Sequence, residues 1–516
     1  MAPMSDWRLG LALCLGFAVF YAGFTPAQFK GSDEVGVFQV TESLYRDSSL
    51  AVPVHHHAHV GADGRLYHAW ALGQSVLTLP FYALSEVAAR TLPGAWARAL
   101  AGPRVERTRR LRPGTREKLR RAGLGDVRRQ TLAYGGSLAI FFVCLYAQLA
   151  GGVLVAVFFA LQRELGVSTR SALTAAALTG LCSYPAMMSV YFLRHSTEVI
   201  ATLGAFTLFH AYRRTGRARW LALGSGVAST IFLVRFPGVL SGLGLGVYVT
   251  GCLRERVRAG GPAWIHAGAI AGPLLIGVGI HVALNYVRWG ALLDSPMLTG
   301  GLESSNSFWT ALSAFLLSPG TSVFVYSPLL LLLPWSFRSF WRTHSLECIA
   351  FVLIALTELL YFSNYRFWTG LWSAPGPRYL LPACVLLMIP LGAWLDGERS
   401  RVQRATLWVL AGVGGAVQIA LLTGEWARVI RSERYVDYDP PFSFLFVPEA
   451  SPIVASARVA WEGHIGAWLW KLGVGWPGQQ AEPGVAAALA LLWMAACAAM
   501  FVSVRRLAIR GAGRVM

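Results

Sequence analysis

The sequence predicts an all-α polytopic membrane protein: a bundle of about 12–13 transmembrane helices, with a long non-cytoplasmic first loop that carries interfacial helices. Three observations predict it. The 516 residues are 55% hydrophobic and only 14% charged, with a mean hydropathy of +0.50. Apolar runs of about twenty residues, each able to cross a ~30 Å hydrocarbon core as a helix, recur along the whole chain. Arginines collect in clusters between those runs instead of spreading along one face. Such a chain has the bilayer as its core.

The formal charge is +19, from 45 Lys and Arg against 26 Asp and Glu. Clustering of that excess between apolar runs is what the positive-inside rule produces. A nucleic-acid partner is excluded, because no soluble stretch interleaves basic residues with exposed aromatics. Cys14, Cys144, Cys182, Cys252, Cys348, Cys384 and Cys497 all fall in or beside apolar runs without paired spacing. They read as small apolar fillers, not as a disulfide framework or a thiolate metal site.

Taken in order, the runs are Leu9–Phe24, Ala71–Ala89, Leu132–Leu161, Ser171–Val190, Ser196–Tyr212, Trp220–Val234, Gly238–Cys252, Ile265–Ala283, Ser322–Trp335, Leu346–Phe362, Tyr379–Leu395, Thr406–Leu422 and Gly484–Val502. The first lacks a small-x-small cleavage site and is read as an uncleaved span. Between the second and third lies Arg98–Arg129, rich in arginine against only Glu106, Glu117 and Asp126. The positive-inside rule puts it in the cytoplasm together with Arg213–Arg219, Arg254–Arg258, Arg338–Arg342, Arg399–Arg404 and Arg505–Arg514. Both termini are then cytoplasmic and the number of crossings must be even, so one run is not a simple crossing. The parity breaks between Leu132 and Val190, where Gly151 and Gly152 interrupt the apolar pattern. Residues 1–395 are expected to form one transmembrane module. Residues 396–516 add C-terminal helices with a non-cytoplasmic segment around 424–483.

The opposite face receives 28–70, the turn around Arg194–Glu198, Asn285–Gly320, Tyr365–Pro377 and Gly424–Pro483. Asp33 and Glu34 stand side by side there, close to the end of the first span. Carboxylates near a membrane surface are costly unless hydrated or used. Their alternative role is to cap an interfacial helix, Val35–Tyr45, with Val37, Val40, Thr41 and Leu44 on one face. Glu42 falls on the polar side of that helix. Arg378, stiffened by Pro375 and Pro377, presents a planar guanidinium suited to bidentate phosphate binding. Arg235, in LVRFPG, and Arg194, beside His195, are further candidates. His55, His56, His57 and His59 could ligate zinc or nickel. Adjacent side chains of an extended segment point to opposite faces, however, so no metal ligand is assigned to them.

In order and in membrane side, these stretches resemble the GT-C superfamily of polyprenyl-phosphate-sugar-dependent glycosyltransferases. That superfamily includes protein O-mannosyltransferases, aminoarabinose transferases and rhizobial lipid A sugar transferases. SDEVGVFQVTESLYRDSSLAVP is similar to the family's acidic first-loop motif, which makes Asp33 the match for the catalytic carboxylate, Glu34 its neighbour and Glu42 the acid on the following helix. YHAWALGQSVLTLPFY resembles the family's second-span entry, with His68 or Ala69 where a lysine is usual. LRHSTEV, LLSPGTSVFVYSP and GPRYLLP resemble later elements and carry Glu198, Tyr326 and Arg378.

The resemblance implies sugar transfer from a polyprenyl-phosphate donor to a lipid, glycan or protein acceptor, with inversion, on the periplasmic or extracellular face of a bacterial inner membrane. Asp33 or Glu34 would be the base. Arg378, Arg235, Arg194 and His68 would hold the donor phosphate, and Glu42, Glu198 and Tyr326 would support the acceptor or the loops. No cofactor follows from the sequence, and the chemistry admits a divalent cation. The rival classes are a transporter or flippase of a lipid-linked sugar or anion, and a non-catalytic scaffold. A transporter calls for charges at mid-membrane in broken helices, whereas here they gather in one set of loops.

Overall fold

The computed structural model describes residues 4–55, 57–111, 113–121, 123–260, 262–293, 308–371, 373–432, 443–475 and 482–512. His56, 294–307 within the Asn285–Gly320 segment, and 433–442 and 476–481 within Gly424–Pro483 lie outside the described residues.

The first helix, α1 (Met4–Ala22), is followed by α2 (Ser32–Asp47), a short antiparallel pair β1 (Ala58–Val60) and β2 (Leu66–His68), and α3 (Gly73–Leu77). Then come α4 (Leu79–Thr91), α5 (Gly94–Ala101), and a second antiparallel pair, β3 (Val105–Arg110) with β4 (Arg129–Gly135), which encloses α6 (Pro113–Arg121). The bundle proper continues with α7 (Leu138–Glu164), α8 (Thr169–Cys182), α9 (Pro185–Met188), α10 (His195–Thr215), α11 (Ala218–Val234), α12 (Ser241–Arg258) and α13 (Ala263–Trp289). Later helices include Ser345–Asn364, Arg401–Thr423 and Pro483–Ala512. Among the described residues, seven helices are long and apolar enough to cross a membrane, and Trp7–Ala22, Ala218–Val234 and Phe308–Leu317 are shorter apolar helices.

Two expectations about topology are corrected. The run Ala71–Ala89 is not one helix: it breaks at Thr78, and α4 has 13 residues. At 1.5 Å per residue, a helix of that length spans roughly 20 Å, short of the ~30 Å core. Instead α4 braces α2. Thr41 and Thr78 share a hydrogen bond of 2.8 Å, and the Phe38 and Tyr82 rings lie 5.9 Å apart. The basic segment Arg98–Arg129 consequently stays on the Asp33 side of the bundle. The Phe29 amide donates to Tyr134 O at 2.8 Å, and Arg107 donates to Lys30 O at 3.4 Å. Leu111 and Leu119 join Val40, Val52, Leu66 and Leu72 in one apolar cluster. The charge pattern misleads here because the positive-inside rule is counted over loops shorter than about 60 residues, and the side of a longer loop is set largely regardless of its charge. With Ala71–Ala89 removed as a span, residues 23–137 form one such long loop.

The same correction restores parity. The region Leu132–Val190 holds two long helices, α7 and α8, followed by the four-residue α9, and α7 runs unbroken through Gly151 and Gly152. Those glycines act as contact points. A Cβ on Gly152 would overlap the Cys14 carbonyl of α1, and one on Gly151 would overlap the Ser189 side chain, so both allow close helix approach. Tyr21 seals this corner by donating to Gly180 O at 2.6 Å.

The far end of the bundle is held by ion pairs between its turns. Arg214 meets Glu164 at 3.0 Å, Arg213 meets both Glu255 and Glu347, and the Ser168 amide donates to Asp396 at 2.7 Å. Residues beyond 396 pack into the bundle directly: Arg401–Thr423 lies against α8, and Pro483–Ala512 lies along α1, where Trp493 donates to Val19 O at 2.7 Å.

Candidate active site

Helix α2 starts at Gly31, whose extended backbone leads into a first turn containing Asp33 and Glu34. The two acids have different surroundings. Glu34 is buried and turns back to accept from the amides of Gly31 (2.8 Å) and Lys30, while its other oxygen accepts from the Phe192 amide at 2.9 Å. Both of its oxygens are thus taken by backbone donors left open at helix ends and turns. Through these bonds Glu34 ties α2 to the 190–194 turn. Burial pushes its carboxyl up to about 7 against the pull of those amides. Burial pulls the neighbouring Lys30 down to about 7, assisted by the positive charge of Lys471.

Asp33 faces the other way, with 16% of its side chain exposed. Its carboxylate lies 3.6 Å from Arg378 Nη2 and 3.7 Å from His57 Nε2. Arg378 is 1% exposed, at the start of a short 3-10 turn after Pro377. It donates to the Tyr379 hydroxyl at 3.0 Å. Gly370 makes room for it: with φ at +60°, a Cβ there would stand 2.6 Å from Arg378 Nε, so the loop backbone lies directly on the guanidinium.

The other arginines converge on the same place. Arg235, in the break between α11 and α12, donates to Glu198 at 2.6 Å and sits over the rings of Phe362 (5.2 Å) and Tyr379 (5.3 Å). Arg194 stacks on Trp70 at 4.5 Å and feels the charges of Asp33, Arg235 and Arg378. His195 is buried beside Tyr379, ring centroids 5.7 Å apart. Two buried guanidiniums, Arg235 and Arg378, the half-buried Arg194 and the partly exposed Asp33 carboxylate therefore meet where the first loop, the 190–194 turn, the α11–α12 break and the 365–378 loop come together. Such a cluster favours an anion with several oxygens, and the Arg378 guanidinium lies over the Tyr379 ring at 4.9 Å.

Other expected residues are placed elsewhere. His68 is a layer behind: its Nε2 is 3.2 Å from His55 Nδ1, and its ring packs on Trp70 at 4.2 Å, so it supports the Trp70 platform under Arg194. Glu42 is turns away along α2, where it accepts from Tyr82 at 2.9 Å and pairs with Arg46. Tyr326 donates to Gly320 O at 3.0 Å and meets Tyr184 edge-on, and Tyr184 in turn donates to Pro375 O at 2.6 Å, so both tyrosines buttress the turn before Arg378. The histidines diverge, with His57 toward Asp33 and His59 toward Trp289. Among the described residues no three His, Cys, Asp or Glu side chains converge on a cation position.

Sequence reasoning missed Tyr379, Trp70 and Glu358. Glu358 accepts from Ser241 (3.2 Å) and the Ala383 amide (3.1 Å), and it acts electrostatically on Glu198 and Arg235. Its signal was present, since it is an acid inside the apolar run Leu346–Phe362, where an ionisable residue marks function by default.

No family model and no curated protein matches the chain. Among solved structures it is similar to ArnT from Cupriavidus metallidurans in the apo state, at a TM-score of 0.50 and 14% identity, over 98% of this chain and 74% of that one. ArnT bound to undecaprenyl phosphate gives 0.46 and 15% over 98% and 75%, and the apo Archaeoglobus fulgidus oligosaccharyltransferase gives 0.41 and 12% over 85% and 60%. The first likeness establishes the fold class, an all-α polytopic membrane architecture of the GT-C type.

Proposed function

We propose that this chain is an integral-membrane glycosyltransferase that moves a sugar from a polyprenyl-phosphate donor to a hydroxyl or amine of a lipid, glycan or protein acceptor, with inversion. The observation that carries the reading is the Asp33 carboxylate at 3.6 Å from buried Arg378, with Arg194 and Arg235 alongside. A lipid-phosphate sugar has an anionic leaving group. Preorganised guanidiniums stabilise the charge that grows on its phosphate as the anomeric bond breaks. Asp33, the one of the two acids not locked by backbone amides, takes the proton of the attacking group. Glu34 and Gly370 hold the two partners in place. Apolar grooves between spans accept the prenyl chain, so no nucleotide domain is required.

The Asp33 end is assigned to the outer face, periplasmic or extracellular, of a bacterial inner membrane. The short loops at the opposite end, Arg213–Arg219, Arg254–Arg258, Arg338–Arg342 and Arg399–Arg404, supply the cytoplasmic charge. In this reading 1–395 is the catalytic module and 396–516 completes the bundle. The transporter alternative gains nothing from the structure, because Asp33, Arg194, Arg235 and Arg378 gather at one end. The test is a panel of polyprenyl-phosphate sugars offered to the purified protein. Release of polyprenyl phosphate with one of them supports the reading, and translocation of an intact donor without release contradicts it.

A further inference from the structure

The β3–β4 hairpin is an unusual burden for the side of the membrane on which Asp33 lies. Its register places Arg110 directly opposite Arg129. Like charges facing each other across two strands destabilise the pair. The acids nearby are already engaged: Glu106 by Arg104, Glu117 by Arg120 and Arg121, and Asp126 by Arg116 and Arg128. Among the described residues no acid pairs with Arg110 or Arg129. Both are exposed, and the adjoining Thr108 and Thr131 put hydroxyls on the same surface, 2.9 Å from each other. The hairpin is also fastened to the reaction loop, since Arg107 donates to Lys30 O three residues before Asp33 and stacks on Tyr134 at 4.3 Å.

We infer that this cationic hairpin is a docking surface for an anionic acceptor, a glycan or glycolipid headgroup bearing phosphate or carboxylate groups, held by Arg110 and Arg129. An anion bridging the two guanidiniums removes their repulsion and gains charge-assisted hydrogen bonds. Leaflet phospholipid is the less fitting occupant, because a chain with this many apolar spans is already committed to the membrane and gains little from an electrostatic anchor. Naming the partner an acceptor rests on the proposed transferase reading, but the binding itself does not.

The test uses the full chain in phosphatidylcholine nanodiscs with fluorescein-labelled inorganic polyphosphate as probe. The Arg110→Gln/Arg129→Gln variant is expected to bind at least about tenfold more weakly, with a shallower salt dependence. Arg338→Gln/Arg342→Gln, which loses the same charge at the other end, is expected to bind as the parent does. Asp33→Asn is also expected to bind as the parent does, so loss of transfer and loss of docking are read separately. Phosphatidylglycerol in the nanodisc is expected to leave polyphosphate binding unchanged. The proposal is overturned if the parent does not bind, if both double variants weaken alike, or if phosphatidylglycerol displaces the probe, since the leaflet is then the occupant. Far-UV circular dichroism identifies a double variant that has not folded, and in that case Arg110→Lys/Arg129→Lys against Arg110→Ala alone decides.

Discussion

Arg378 Nη2 stands 3.6 Å from the Asp33 carboxylate, with the guanidinium buried and the carboxylate partly exposed. An incoming phosphate finds the arginine already desolvated and held in plane by Tyr379. Arg378→Ala should therefore weaken donor use by about 1.5–3 kcal/mol, roughly ten- to a hundredfold, whereas Arg338→Ala on a far-end helix should not. Arg378→Lys should recover only part, because an ammonium lacks the fork. Steady-state kcat/KM for the donor distinguishes these outcomes, and equal losses at both positions would show that bulk charge alone matters.

Glu34 and Lys30, both outside the spans, set opposing pH slopes on stability. Glu34 is raised in the fold, so its contribution is complete below its ordinary range near 4.5 and is lost as pH climbs through about 7. Lys30 is lowered in the fold, so the unfolded chain binds more protons between about 7 and 10.5, and stability rises with pH over that window. Thermal unfolding across pH should show a trough near neutrality. Glu34→Gln should flatten its acid side and Lys30→Met its alkaline side. A profile unchanged by either substitution would remove these groups from the account.

Glu42 should prove dispensable for the chemistry. Its pair with Arg46 is exposed, and its bond to Tyr82 only braces α2 against α4. Exposed pairs contribute about 0–1 kcal/mol, so Glu42→Gln should leave transfer within about twofold and lower Tm slightly. A large fall in kcat would bring Glu42 back into the site.

Topology is open to labelling. Arg65 and Arg121 are both well exposed, so cysteines placed there should react with a membrane-impermeant thiol reagent from the same side. A cysteine at exposed Arg401 should react from the other side. Opposite labelling of the first two would restore the cytoplasmic placement of the basic segment.

The fold class was legible because apolar runs and arginine clusters are direct consequences of solvation by lipid. The second span was not: Ala71–Ala89 is apolar enough to cross, and only the break at Thr78 and its packing on α2 show that it lies along the bundle end. That single error separated the Arg98–Arg129 segment from the Asp33 end of the bundle, on which it packs. In the site, Asp33, Arg194, Arg235 and Arg378 were visible because charges beside spans are rare and dear. The different surroundings of Asp33 and Glu34 were hidden, because they depend on the Phe192 amide, 158 positions away in the chain. That His68 lies behind Trp70, and Tyr326 behind the turn before Arg378, was not legible, since sequence gives no depth along a side-chain stack.

The central claim is that Asp33 is the base and Glu34 its scaffold. Glu34 already supplies the cap of α2, so Asp33→Asn should leave Tm and donor binding nearly unchanged. Without the proton acceptor, single-turnover transfer should fall by about 10²–10⁴. Measured beside it, Glu34→Gln should lower Tm and lose far less rate than Asp33→Asn. Near-parental transfer by Asp33→Asn, with or without a dead Glu34→Gln, would contradict the account.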